Sequence, residues 1–182
     1  MTKRAINASW VGGDWRGRLT ILPPSRGGDR RHDEVNAWRA AGLDVVVSLT
    51  EPDEATAQVV FAHEAGAGAT SGITLRAFPL PHPGAPPSKQ TVSGLAGELV
   101  NALTEGRGVG IECREGTGRS GVVAAAILLT AGIDIPTALR AISEALGLEV
   151  PESDAQRRWL GEFAIWTCGR PVREGVGGEN LH

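Results

Sequence analysis

Apolar residues fall along the chain in two rhythms. Short unbroken runs at residues 19–22, 45–49, 73–78 and 109–113, with a weaker one at 8–11, predict strands. Between them the spacing lengthens to every third or fourth position, as a helix face requires. Asp33 can cap a helix that runs to about Ala41 and stops at Gly42. Pro52 opens a second, which carries Val59, Val60 and Phe61 and ends in the glycines from Gly66 onward. Ser88 caps a third, with Val92, Leu95, Leu99 and Leu103 at helical spacing and Gly106 as its stop. Helical patterns over residues 120–131, 136–146 and 153–167 complete the set.

Strands alternating with helices predict an α/β domain: a mostly parallel sheet of about four or five strands, flanked by helices. Ligands of such sheets bind beyond the carboxyl ends of the strands. Cys113 stands at that end of the most apolar strand, directly before a helix. Residues 169–182 are glycine-rich and charged without periodicity, and read as a flexible tail after one domain over residues 5–168.

Composition narrows the functional classes. A chain of 182 residues with a net charge of −3 lacks the basic surplus of a nucleic-acid binder, so affinity for an anion has to be built locally. The longest apolar stretch, residues 122–129, is too short to span a bilayer. The first fourteen residues hold no apolar core of a secretory signal. The two cysteines, Cys113 and Cys168, form no disulfide framework, and a reduced thiol in a cytoplasmic protein is the expectation.

The segment Cys113-Arg114-Glu115-Gly116-Thr117-Gly118-Arg119 offers an anion a seat. Gly116 and Gly118 allow successive N–H groups to turn inward as a nest. The helix that follows adds unsatisfied N–H groups and the positive end of its dipole. Arg119 can lay a planar guanidinium across two phosphate oxygens. The same field favours the thiolate, the nucleophilic form of a cysteine. Nothing in the sequence forms a metal-ligand cluster, and no cofactor is expected.

A cysteine, five residues, then Arg-Ser, set between a strand and a helix, resembles the signature of protein tyrosine and dual-specificity phosphatases. Val46-Val47-Ser48-Leu49-Thr50-Glu51 is similar to the strand and turn of that family. Phe78-Pro79-Leu80-Pro81-His82-Pro83-Gly84-Ala85-Pro86-Pro87 resembles the proline-rich general-acid loop of its small bacterial and archaeal members. Pro151-Glu152-Ser153-Asp154-Ala155-Gln156 resembles the late loop that guides water in the second step. The resemblance covers most of residues 8–166. It implies that Cys113 attacks phosphorus to form a cysteinyl-phosphate, that Arg119 holds the phosphoryl group with the loop residues Arg114 to Gly118, and that Ser120 helps the thiolate leave. The implied substrate is a phosphorylated protein or a small phosphomonoester.

Two positions depart from the family pattern. Glu112 stands where a histidine usually precedes the cysteine; on a strand its side chain points away from Cys113. It either accepts hydrogen bonds from loop N–H groups or is a solvated or internally paired carboxylate. His82 stands where the family has its acidic aspartate, and no Asp or Glu occurs between Glu64 and Glu98. A histidinium can serve as the acid. Glu115, inside the loop, is the competitor, followed by Glu51 and Asp53. Glu152 stands where some members place a water-orienting glutamine, whereas Gln156 can hold the late loop through backbone hydrogen bonds. Two other readings remain: a phosphate-binding module without turnover, and a rhodanese-like sulfurtransferase, whose loop is generally one residue shorter.

Overall fold

The computed structural model describes residues 6, 8–23, 31–51, 72–81, 85–113 and 118–168. In chain order these form β1 (Ser9–Val11), β2 (Arg18–Leu22), α1 (Arg31–Ala40), β3 (Val45–Ser48), β4 (Thr74–Ala77), α2 (Lys89–Thr104), β5 (Gly108–Glu112), α3 (Gly118–Thr130), α4 (Ile135–Leu146) and α5 (Asp154–Cys168). The helix expected after Pro52 and the tail from Gly169 lie outside the described residues.

The strands make one sheet in the order β1-β2-β5-β3-β4. Only the β1–β2 pair is antiparallel; β5 runs parallel to both its neighbours, and β3 parallel to β4. The most apolar run therefore lies at the centre, where every residue of β5 is buried. Two of its residues are glycines with close neighbours: the connection from α1 to β3 at Gly108, and the side chains of Leu22 and Leu43 at Gly110. A Cβ on Gly108 would stand 1.9 Å from the Gly42 carbonyl oxygen, and one on Gly110 would stand 2.9 Å from Leu22 Cδ1. Asp44 ties the same connection down: its N–H donates to Gly108 O (2.8 Å) and its carboxylate accepts from Gly108 N (2.9 Å) and from Arg39. The Gly108 N–H, with help from Arg39 and Arg107, holds the Asp44 carboxyl below the usual carboxylate range against the opposing effect of burial.

Period-two alternation divides the core between the two faces of the sheet. Leu19 and Ile21 of β2, Val45 and Val47 of β3, and Val109 and Ile111 of β5 face α2–α5. Leu22 and Val46 face the other way, against Val35 and Trp38 of α1. Twelve of the thirteen residues of α3 are buried, as expected of a helix that is apolar all round.

Helix ends follow local chemistry. Ser88 Oγ accepts from Thr91 N (3.2 Å) to cap α2, which is followed by Gly106 at φ 90. Asp134 caps α4 through Thr137 N (3.1 Å), with Pro136 in the first turn and Gly147 left-handed at its end. Asp33 is not the cap of α1. The helix begins two residues earlier, and Asp33 and Glu34 lie inside its first turn, where carboxylates suit the positive end of the dipole.

Candidate active site

Cys113 follows the last residue of β5 at the carboxyl edge of the sheet, with α3 beginning five residues later. It continues the alternation of Val109 and Ile111, so its side chain enters the core beneath α2–α5. There the Cys113 thiol donates to Ser120 Oγ over 3.3 Å, and both residues are buried. In the thiolate form the pair reverses, and the hydroxyl becomes the donor.

Arg119, in the first turn of α3, is only 5% exposed. Its Nη1 donates to two main-chain carbonyls, Leu49 O (3.3 Å) at the end of β3 and Leu80 O (3.0 Å) beyond β4. Leu80 N in turn donates to Leu49 O (3.2 Å), and Leu49 N to Glu112 O (2.9 Å). The ends of three neighbouring strands thus fix one edge of the guanidinium. Its Nε is buried and has no hydrogen-bond partner among the described residues. Leaving such a donor unsatisfied costs about 1–3 kcal/mol, more for a charged group, and an anion would remove that cost. Nε with Nη2 is one of the edges through which arginine makes paired hydrogen bonds to an oxyanion.

Gly118 opens α3 and lies against the late loop. A Cβ there would stand 2.2 Å from Glu152 Oε2 and 3.1 Å from Gln156 Nε2. Gln156 is buried, and its Oε1 accepts the Glu152 N–H (3.0 Å), the loop-holding role expected for it. Ser153 Oγ accepts from Gln156 N (3.3 Å) and so caps α5.

Glu112 occupies the opposite face of the sheet. Its register partners are Leu22 and Ser48, and it is 2% exposed, so the solvated reading is excluded; it makes polar interactions within the protein. Glu51 is half-buried two residues beyond the carbonyl that holds Arg119. Arg114, Glu115, Gly116, Thr117, His82 and Asp53 lie outside the described residues. The structure therefore brings together Cys113, Gly118, Arg119, Ser120, Glu152 and Gln156.

Sequence reasoning missed the carbonyls of Leu49 and Leu80. Main-chain acceptors carry no residue signature; only their position at strand ends beside β5 could have pointed to them. The pairing of Glu152 with Gly118 was also missed, because Gly118 had a sufficient explanation as a loop glycine. Among the described residues there is no cluster of side chains able to hold a metal, and no helix long and apolar enough to cross a membrane.

No curated protein sequence matches the chain significantly. Solved structures share its fold. Kinase associated phosphatase, crystallised with its catalytic-site cysteine changed to serine, is 18% identical, with a TM-score of 0.75 over 93% of this chain and 100% of that one. Tk-PTP in its active form is 24% identical, with a TM-score of 0.67 over 87% and 96% of the two chains. PTPMT1 is 16% identical, with a TM-score of 0.65 over the same shares, 87% and 96%. Residues 25–133, more than half the chain, match the family described as "polymorphic toxin system, DSP-PTPase phosphatase". By its sequence match and by a fold shared with these phosphatases, the chain belongs to the DSP-PTPase phosphatase family of polymorphic toxin systems.

Proposed function

We propose that the protein hydrolyses phosphomonoesters through a cysteinyl-phosphate, with Cys113 as nucleophile. The observation that carries this reading is the placement of the Cys113 thiol 3.3 Å from Ser120 Oγ, next to an Arg119 held by two carbonyls on one edge with a buried, unpartnered Nε on the other. A merely structural cysteine needs neither feature.

The steps follow from these groups. The thiolate attacks phosphorus, the P–O bond to the leaving group breaks, and that oxygen takes a proton from the general acid. Water then gives a proton to the now deprotonated general acid and attacks the cysteinyl-phosphate, the P–S bond breaks, and the electron pair returns to sulfur while Ser120 donates to the thiolate. Splitting the displacement in this way replaces one hard step by two easier ones. Arg119 and the N–H groups of residues 114–118 balance the charge on the phosphoryl oxygens through both steps. His82 takes the acid's place by its position in the proline-rich loop, with Glu115 and then Glu51 as alternatives; a general acid is worth about 10²–10⁴ in rate.

The substrate is a phosphorylated protein or a small phosphomonoester, met in a reducing cytoplasm where the thiol stays free. Membership of a phosphatase family removes the sulfurtransferase alternative. Turnover separates the enzyme from a phosphate-binding module. The full chain is expected to hydrolyse p-nitrophenyl phosphate, and Cys113→Ser to abolish hydrolysis while still binding phosphate. Hydrolysis that survives in Cys113→Ser would remove the cysteine from the chemistry.

A further inference from the structure

A cavity of about 290 Å³ lies at the carboxyl edge of the sheet, the edge that carries Cys113, and takes no part in the steps above. One wall is residues 77–80, the end of β4 and the segment after it; the other is Pro87, Ser88, Thr91 and Val92 at the start of α2. Both walls are fixed. Phe78 N donates to Ser48 O (2.8 Å) and Leu80 N to Leu49 O (3.2 Å). Across from them, Ser88 Oγ accepts from both the N–H (3.2 Å) and the hydroxyl (2.9 Å) of Thr91, in the first turn of a 16-residue helix. Filling a preformed cavity of this kind needs little ordering of the protein.

The lining is apolar in character. None of its eight residues is ionisable, and the two hydroxyls it contains already bond to one another. The charged residues that adjoin it in sequence are each paired with a carboxylate, Arg76 with Glu98 and Lys89 with Glu162 (2.6 Å). A charged occupant would give up its water for no partner, whereas an apolar one gains by burial. The volume stands at the lower limit of ligand sites, about 300 Å³, and suits one side chain rather than a whole cofactor.

Leu80 joins this cavity to the reaction centre. It lines the cavity, and its carbonyl accepts from Arg119 Nη1 over 3.0 Å. A peptide with its phosphoryl group on the Nε edge of Arg119 needs only a few extended residues, about 3.5 Å each, to bring a neighbouring side chain to that wall. We propose that the cavity receives an apolar side chain, of the size of leucine or phenylalanine, that flanks the phosphorylated residue of a protein substrate. This deepens the phosphatase reading of the site and rests on it, and it favours a phosphorylated protein over a small phosphomonoester, which has no flank to offer.

The test uses phosphopeptides that differ only in the three positions on either side of the phosphorylated residue, leucine in one and serine in the other. Each is made with phosphotyrosine and with phosphoserine. Binding is measured on the Cys113→Ser full chain, with inorganic phosphate as competitor to show that the peptide occupies Arg119. The leucine peptide should bind about three- to tenfold tighter, less than full burial of a side chain gives because part of it stays in water, and salt should not weaken the preference. Thr91→Trp, which fills the cavity from an exposed position, should bring the two affinities together, and Thr91→Val should keep them apart. A preference that survives Thr91→Trp, or that high salt abolishes, overturns the proposal. Equal binding of both peptides, displaced by phosphate, overturns the apolar subsite and leaves the phosphatase reading standing. Binding of neither overturns both. Should Thr91→Trp bind neither peptide, Ala77→Leu fills the cavity from the β4 wall and is read by the same outcomes.

Discussion

Cys113 and Glu112 are neighbours in sequence, yet they belong to opposite faces of the sheet and to very different surroundings. The Cys113 face is covered by four helices and carries most of the core, including the almost wholly buried α3. The Glu112 face is covered, among the described residues, by α1 over a small cluster of Leu22, Val35, Trp38, Leu43, Val46 and Ile73. Deep, close-packed surroundings hold a side chain in one place, and that is what a nucleophile facing a phosphorus atom requires. The departure from the family pattern at position 112 lies on the thin face, where the Glu112 carboxylate is buried and makes polar interactions within the protein. The unusual residue and the arrangement of Cys113, Arg119 and Ser120 thus lie on opposite faces of the sheet.

The largest effect should come from exchanging groups across that divide. Arg119→Lys removes the planar fork and its Nε, and should lower kcat for p-nitrophenyl phosphate by about 10²–10³. Glu112→Gln, on the other face, should lower it by less than about tenfold. Equal losses in steady-state kinetics would mean that the faces are not functionally separate. Next in size is packing. Phe163→Ala, which removes a fully buried ring stacked on Trp159 at 5.0 Å, should cost about 3–5 kcal/mol in urea denaturation. Val46→Ala on the thin face should cost about 1–2.5 kcal/mol, because fewer atoms are lost there. A reversed order would contradict the account of which face supports the site.

The smallest expected effect tests how the thin face is tied to the central strand. Asp44→Ala leaves the Gly108 N–H without its carboxylate and should cost about 1–2 kcal/mol at neutral pH. The Asp44 pKa is lowered in the folded protein, so its contribution is complete above the unfolded value near 3.8 and is lost as pH falls through the still lower folded value. The gap between wild type and Asp44→Ala in denaturant midpoint should therefore close on acidification below about pH 4. A gap independent of pH would mean that the carboxylate charge does not serve this contact.

Much of the fold was legible because it depends on local signals. The apolar runs marked all five strands, and the run from Val109 onward, the most apolar, became the central one. Ser88, Gly42 and Gly106 marked helix ends by properties of their own side chains or their lack of one. Asp33 misled, since a carboxylate is favourable both as a cap and inside the first turn, and the chain before it lacks an apolar rhythm to decide between them. The nearness of Cys113 to the Arg119-Ser120 turn was legible because those residue types carry the chemistry, while residues 114–117 lie outside the described residues. What holds Arg119 was not legible, because the acceptors are main-chain atoms of Leu49 and Leu80, distant in sequence and identical in kind to every other carbonyl. The burial of Glu112 was likewise out of reach: alternation gave its direction, but not what covers that face.

The central claim, a phosphoryl group carried on the Cys113 sulfur, is open to direct measurement. Full-length protein mixed with p-nitrophenyl phosphate, quenched in acid during turnover and digested, should yield the peptide containing Cys113 heavier by one phosphoryl group. That species should be absent in Cys113→Ser. Turnover with no such adduct at any quench time, or with the phosphoryl group on another residue, would contradict the account.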